Sequence, residues 1–146
     1  RRARVIDYKT GRYYSLGKDG EKLLDHGKRL QLPIYLMAAK EMLAGDRPDT
    51  EVVSAEYLHV TEPTGPKPAA VTAEQLEARR EDLARAVGII VKGIAAGQFF
   101  PFPEDERGCG NCDFRDACPS VMLPLAEMKN GDSRTKDFTE GLAGID

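Results

Sequence analysis

No run of apolar residues in this chain approaches the ~18 that a membrane-spanning helix needs. Its 41% of hydrophobic residues therefore belong to a folded interior, and no membrane is expected as a partner. The sequence opens Arg1-Arg2-Ala3-Arg4, with neither a methionine nor a secretory-type apolar stretch, and reads as a fragment that begins inside a longer cytoplasmic protein. An internal repeat, a low-complexity tract and a phosphate-binding glycine loop are also missing, which sets aside repeat architectures and P-loop nucleotide chemistry. Histidine is scarce: only His26 and His59 could offer an imidazole to a metal. A net charge of -3 argues against a uniformly basic nucleic-acid binder.

What is present is enough for one domain with a real core. The charge is uneven along it. Residues 1–47 carry 11 Lys+Arg against 6 Asp+Glu, and residues 48–146 carry 10 against 18. One side of the protein could thus meet a polyanion. A strand is expected over Arg4–Thr10, and its Val5-Ile6 suggests an interior position. A mobile basic loop follows over 12–27, with Lys18-Asp19-Gly20 as its turn signal. The next helix, about Lys28 to Leu43, would bury Leu30, Ile34, Met37 and Met42 and stop at Gly45 and Pro48; Pro33 requires it either to start near Leu30 or to kink. Glu51–Val60 reads as a strand covered on both faces, since apolar residues alternate to each side. After a turn over Glu62–Pro68, Thr72 and Gln75 form a capping box. The box opens one long helix burying Leu76, Leu83, Val87, Ile90, Val91 and Ile94, and Gly97 ends it. The proline-rich stretch FFPFPEDERG leads to three cysteines, and residues 120–146 read as a polar tail.

Three groups of residues carry chemistry. In VIDYKTG, strand alternation puts Asp7 and Lys9 on one face, close to the strand's end. Alone, such a pair is as readily an edge-strand ion pair worth little. Gln31 and Tyr35 stand four apart, so a helix stacks them beside its apolar stripe; both supply uncharged hydrogen-bonding groups. Cys109, Cys112 and Cys118 fall within ten residues as C-x2-C-x5-C. Without a secretory context a disulfide framework is disfavoured and a metal is the default. Zinc would need a fourth ligand such as His26 or His59. An iron–sulfur cluster would need a fourth cysteine, and Cys118-Pro119 matches the cysteine-proline ending of some cluster-binding runs. Spacing leaves the two open.

The ordered combination resembles the RecB-type branch of the PD-(D/E)XK nucleases, in particular helicase–nuclease domains holding a four-cysteine iron–sulfur cluster. Asp7-Tyr8-Lys9 matches (D/E)-x-K, Gln31 and Tyr35 match Q-x-x-x-Y, and the three cysteines match the cluster residues. The resemblance implies an α/β fold, a mixed sheet flanked by helices, with residues 1–119 the C-terminal portion of the nuclease domain and 101–119 the cluster loop. It implies Mg2+ or Mn2+ at Asp7 and the Tyr8 carbonyl, with Lys9, Gln31 and Tyr35 as further catalytic groups. It also implies a [4Fe-4S] cluster at Cys109, Cys112 and Cys118, DNA as substrate and a helicase as partner. The family's first catalytic aspartate and its fourth cluster cysteine precede the matched residues, so the domain is expected to be N-terminally truncated and inactive by itself. The implied function is a metal-dependent DNA exonuclease of repair and recombination. A nuclease of the CRISPR spacer-acquisition type and an inactive iron–sulfur DNA-binding or scaffold module are the alternatives.

Overall fold

The computed structural model describes residues 1–17, 22–61, 63, 65–99, 109, 112–118, 122–129 and 131–145. Lys18, Asp19 and Gly20, Glu62 and Thr64 of the turn over 62–68, the prolines of 101–103 and Pro119 lie outside these. Three strands form one mixed sheet in the order β1 (Arg2–Lys9), β2 (Glu51–His59), β3 (Lys67–Thr72), with β1 and β2 parallel and β2 and β3 antiparallel. Helix α1 (Gln31–Asp46) is the crossover that a parallel β1–β2 pair requires. Helices α2 (Ala73–Ala78) and α3 (Arg80–Ala95) follow, then a 3-10 turn at Arg115–Ala117 and the short α4 (Met122–Glu127) and α5 (Lys136–Thr139).

The chain divides into two units, residues 1–87 with 145–146, and residues 88–144. In the first, β2 is central and mostly buried along its length, as alternating apolar residues on both faces require. On one sheet face Ala55, Tyr57, Ala69 and Val71 are buried, as are Leu32, Pro33 and Leu36 of α1. Leu16, Leu23 and Leu24 are also in the core. The segment expected to be a mobile loop is therefore anchored by its leucines. Each buried leucine is worth roughly 1.5–3 kcal/mol relative to exposure.

Several expectations from the sequence are corrected here. Strand β1 is an outer strand and not an interior one: Ala3, Val5, Asp7 and Lys9 are half-buried, whereas Arg2, Arg4, Ile6 and Tyr8 on its other face are exposed. Helix α1 starts at Gln31, so Pro33 falls in the first turn, where its missing N–H costs nothing and no kink is needed. Its buried face is Leu32, Pro33 and Leu36; Ile34, Met37 and Met42 are exposed, the last by 70%. Apolar residues surround α1, so periodicity could not choose the face. Strand β3 occupies residues that read as a turn and a cap approach. The long helix is two, separated at Arg79, whose N–H turns back to the Leu76 carbonyl at 3.1 Å. No glycine or proline marks that break. Leu76, Leu83 and Ala86 are buried, while Val87, Val91 and Ile94 are exposed.

The expected stop at Gly45 is passed, since α1 runs on to Asp46 with Arg47 as its cap; the two other helix ends read from sequence have their expected hydrogen bonds. Gln75 N–H donates to Thr72 Oγ1 at 3.1 Å and Thr72 N–H to Gln75 Oε1 at 3.0 Å, a reciprocal capping box. Gly97 takes φ +67 and Gln98 N–H reaches the Gly93 carbonyl at 2.9 Å, a left-handed C-terminal stop that suits glycine. In the second unit Gly93 lies against the Phe138 ring, where a Cβ would collide, and Lys92 Nζ pairs with Asp137 at 2.8 Å. Residues beyond 120, read as a polar tail, carry α4 and α5. Ile145, counted with the first unit, is fully buried and its carbonyl accepts from His26 N–H at 3.0 Å. No helix among the described residues is long and apolar enough to cross a membrane.

Candidate active site

Strand β1 delivers Asp7 and Lys9 to the face that α1 covers, one at each side of the exposed Tyr8. Their ion pair, Lys9 Nζ to Asp7 Oδ2, is 2.9 Å long, with side chains 30% and 20% exposed. Pairs of this kind contribute little net stability once desolvation is counted. The arrangement thus calls for a reason other than holding the strand.

The first turn of α1 supplies the next links. Lys9 Nζ also donates to Gln31 Oε1 at 3.2 Å, and Gln31 Nε2 donates to the Tyr35 hydroxyl at 2.8 Å. The four side chains singled out from sequence, Asp7, Lys9, Gln31 and Tyr35, thus form one continuous chain of contacts from sheet to helix. Gln31 is half-buried and Tyr35 is 39% exposed, so the network passes from the interior to solvent. The backbone of Tyr8 faces another way. Lys9's carbonyl accepts from Val60 N–H on the β2 side at 3.0 Å, and strand alternation turns the Tyr8 carbonyl to the outer edge.

A fifth member, Tyr57, was visible in the sequence only as a residue on one face of β2. It pairs in register with Asp7 across the β1–β2 ladder. Its hydroxyl donates to Gln31 Oε1 at 3.0 Å, and Lys9 Nζ sits 4.6 Å from its ring centroid, a cation–π contact. Burial, then the neighbouring Tyr14 and the Asp7 charge, push its phenol well above the ordinary range, so the hydroxyl keeps its proton and remains a donor. Tyr14 meets the Tyr57 ring edge-on at 5.7 Å and the His59 ring at 5.2 Å, and the Arg29 guanidinium lies 4.8 Å from the Tyr14 ring centroid. His59, only 1% exposed, has Nδ1 3.3 Å from the Gly11 carbonyl.

The cysteines belong to the second unit. Cys109 is half-buried, Cys112 and Cys118 are exposed, and all three are free thiols. Cys112 N–H donates to the Cys109 carbonyl at 3.3 Å. Among the described residues no three His, Cys, Asp or Glu side chains converge as a metal-holding group.

Neither a curated protein nor a solved structure matches this chain. Residues 1–119 do match the family model of the PD-(D/E)XK nuclease superfamily, a span that includes β1, α1 and all five networked side chains. The chain belongs to that superfamily, whose members are generally nucleases that typically use Mg2+ or Mn2+.

Proposed function

We propose that this chain is the catalytic portion of a DNA exonuclease acting within a helicase–nuclease of DNA repair and recombination. The observation that supports it is the linked Asp7–Lys9–Gln31–Tyr35 constellation at the end of an outer strand. The donor set suits a hard cation. The Asp7 carboxylate is a hard oxygen ligand, and Mg2+ is held by one or two carboxylates while keeping several waters, so the Tyr8 carbonyl, turned to the outer edge, is not required as a ligand. Bound there, such a cation supplies charge neutralisation at the phosphoryl oxygens and an acidified water at neutral pH.

The chain's own groups do the remaining work. Lys9 presents its ammonium beside Asp7, where it orients the attacking water or offsets charge developing on the phosphate. Gln31 and Tyr35 orient water and DNA backbone through hydrogen bonds without adding charge. Affinity for DNA comes mainly from other Lys and Arg contacts to phosphates, consistent with the basic first third of the sequence. Cys109, Cys112 and Cys118 offer three thiolates to a [4Fe-4S] cluster, a soft-ligand role that their free state permits. The fourth cysteine would come from outside these 146 residues, and the cluster's role would be structural.

A non-catalytic DNA-binding or scaffold module is the second reading, favoured because Asp7 is the single carboxylate in the described network. The test is incubation of the complete natural protein with end-labelled linear duplex and with covalently closed circular DNA, in Mg2+ or Mn2+. Linear DNA should be degraded and the circle spared, and Asp7→Ala should abolish cleavage while retaining DNA binding. Near-normal cleavage by Asp7→Ala removes the site assignment. Cleavage of the circle overturns the exonuclease assignment, and binding without any cleavage selects the scaffold.

A further inference from the structure

A carboxamide can sit either way round, and the two orientations of Gln31 would present opposite chemistry. With its oxygen inward it accepts from the Lys9 ammonium. With its nitrogen inward it would set two N–H donors against a cation and lose that contact. In the structure Oε1 accepts from two donors at once, Lys9 Nζ at 3.2 Å and the Tyr57 hydroxyl at 3.0 Å, which leaves Nε2 to donate to the Tyr35 hydroxyl at 2.8 Å. Lys9 cannot impose this orientation by itself. Its long, flexible side chain is already engaged with Asp7, whereas Tyr57 is 4% exposed and meets Tyr14 edge-on. A buried ring held by close packing has little freedom to turn.

The same ring acts on the second member of the pair. Its face carries the Lys9 ammonium 4.6 Å from the centroid, and β2 places it directly opposite Asp7 in the ladder. One side chain thus meets Gln31 through its hydroxyl and Lys9 through its π-face. Building on the nuclease reading above, we infer that Tyr57 is a positioning residue: its hydroxyl selects the Gln31 amide orientation and its ring fixes the Lys9 ammonium beside Asp7.

A buried tyrosine that merely packs would also find some partner for its hydroxyl, so the experiment has to separate packing from positioning. Tyr57→Phe keeps the ring, the core volume and the cation–π contact, and removes only the oxygen. Two readouts are taken on the complete protein. The first is the NMR order parameter of the Gln31 side-chain NH2 group in metal-free protein, which needs no activity. The second is steady-state cleavage of linear duplex, with kcat and KM separated, for Tyr57→Phe, Gln31→Ala and the double variant.

Positioning predicts a looser Gln31 amide in Tyr57→Phe and a roughly five- to tenfold lower kcat, the size of one lost hydrogen bond, with KM unchanged. It also predicts no further loss when Tyr57→Phe is added to Gln31→Ala, because the hydroxyl acts through that amide. A Gln31 amide as ordered in Tyr57→Phe as in the parent overturns the inference, as does full additivity in the double variant. If the parent protein cleaves no DNA, the nuclease reading fails and the amide order parameter still decides the role of Tyr57.

Discussion

The two chemically loaded regions of this molecule are built in opposite ways. Around Asp7, each of the five networked side chains has a partner within the same unit: Lys9 bonds Asp7 and Gln31, Gln31 bonds Tyr35, and Tyr57 bonds Gln31. Around the cysteines, three thiols stand free, two of them exposed. A site mounted on a strand and a helix is preorganised by the fold, because packing locks the rotamers of its members. Thiols of this kind gain their order from what they bind, since metal binding and local folding share one free energy. Under the function proposed above, chemistry resides in the first region and a staple in the second.

The largest expected effect would break the comparison on the preorganised side. Lys9→Ala should lower the single-turnover cleavage rate by about 10^3-fold or more, since a charge aimed at the reacting phosphate is removed. Gln31→Ala, lacking only a neutral orienting group, should cost about 10- to 100-fold. Both are measured in one buffer with DNA binding recorded alongside; an equal or larger loss for Gln31→Ala would show that the two roles are ranked wrongly.

Stability gives the next test. Leu36 is fully buried on the α1 face that packs in the first unit, so Leu36→Ala should destabilise that unit by about 2–5 kcal/mol. Exposed Met37 on the same helix is the control, and Met37→Ala should stay within about 0.5 kcal/mol in denaturant unfolding. Similar losses for the two would reverse the assignment of the buried face.

The smallest effect on chemistry is expected at the cysteines. Cys118→Ser should lose cluster iron and lower the unfolding temperature, with cleavage per folded molecule largely preserved. Iron, sulfide and zinc analysis of anaerobically purified complete protein checks this, and stoichiometric zinc without sulfide would replace the iron–sulfur assignment while leaving Asp7 and Lys9 unaffected.

Local periodicity made much of the candidate site legible. Two residues apart on a strand means one face, and four apart on a helix means one face, so Asp7 with Lys9 and Gln31 with Tyr35 could be paired before any fold was known. The capping box at Thr72 and Gln75 and the glycine stop at Gly97 are likewise local, formed by backbone groups a few residues away. These are statements about neighbours in the chain, and short-range geometry is nearly independent of the rest of the molecule.

Tertiary structure alone decided the remainder. Helix α1 is apolar on several sides, so which side is buried depended on the sheet it meets, and Leu32, Pro33 and Leu36 are in the core in place of Ile34, Met37 and Met42. The outer position of β1 and the pairing of the separate strand β3 also depend on contacts distant in sequence. Tyr57 shows this most directly. It stands fifty residues from Asp7 and reaches the site through cross-strand register, which a shift of one residue would turn to the opposite face of the sheet. No local pattern carries that pairing: the sequence by itself determined which side chains could act as pairs, and the packed sheet determined that the pairs meet around a fifth.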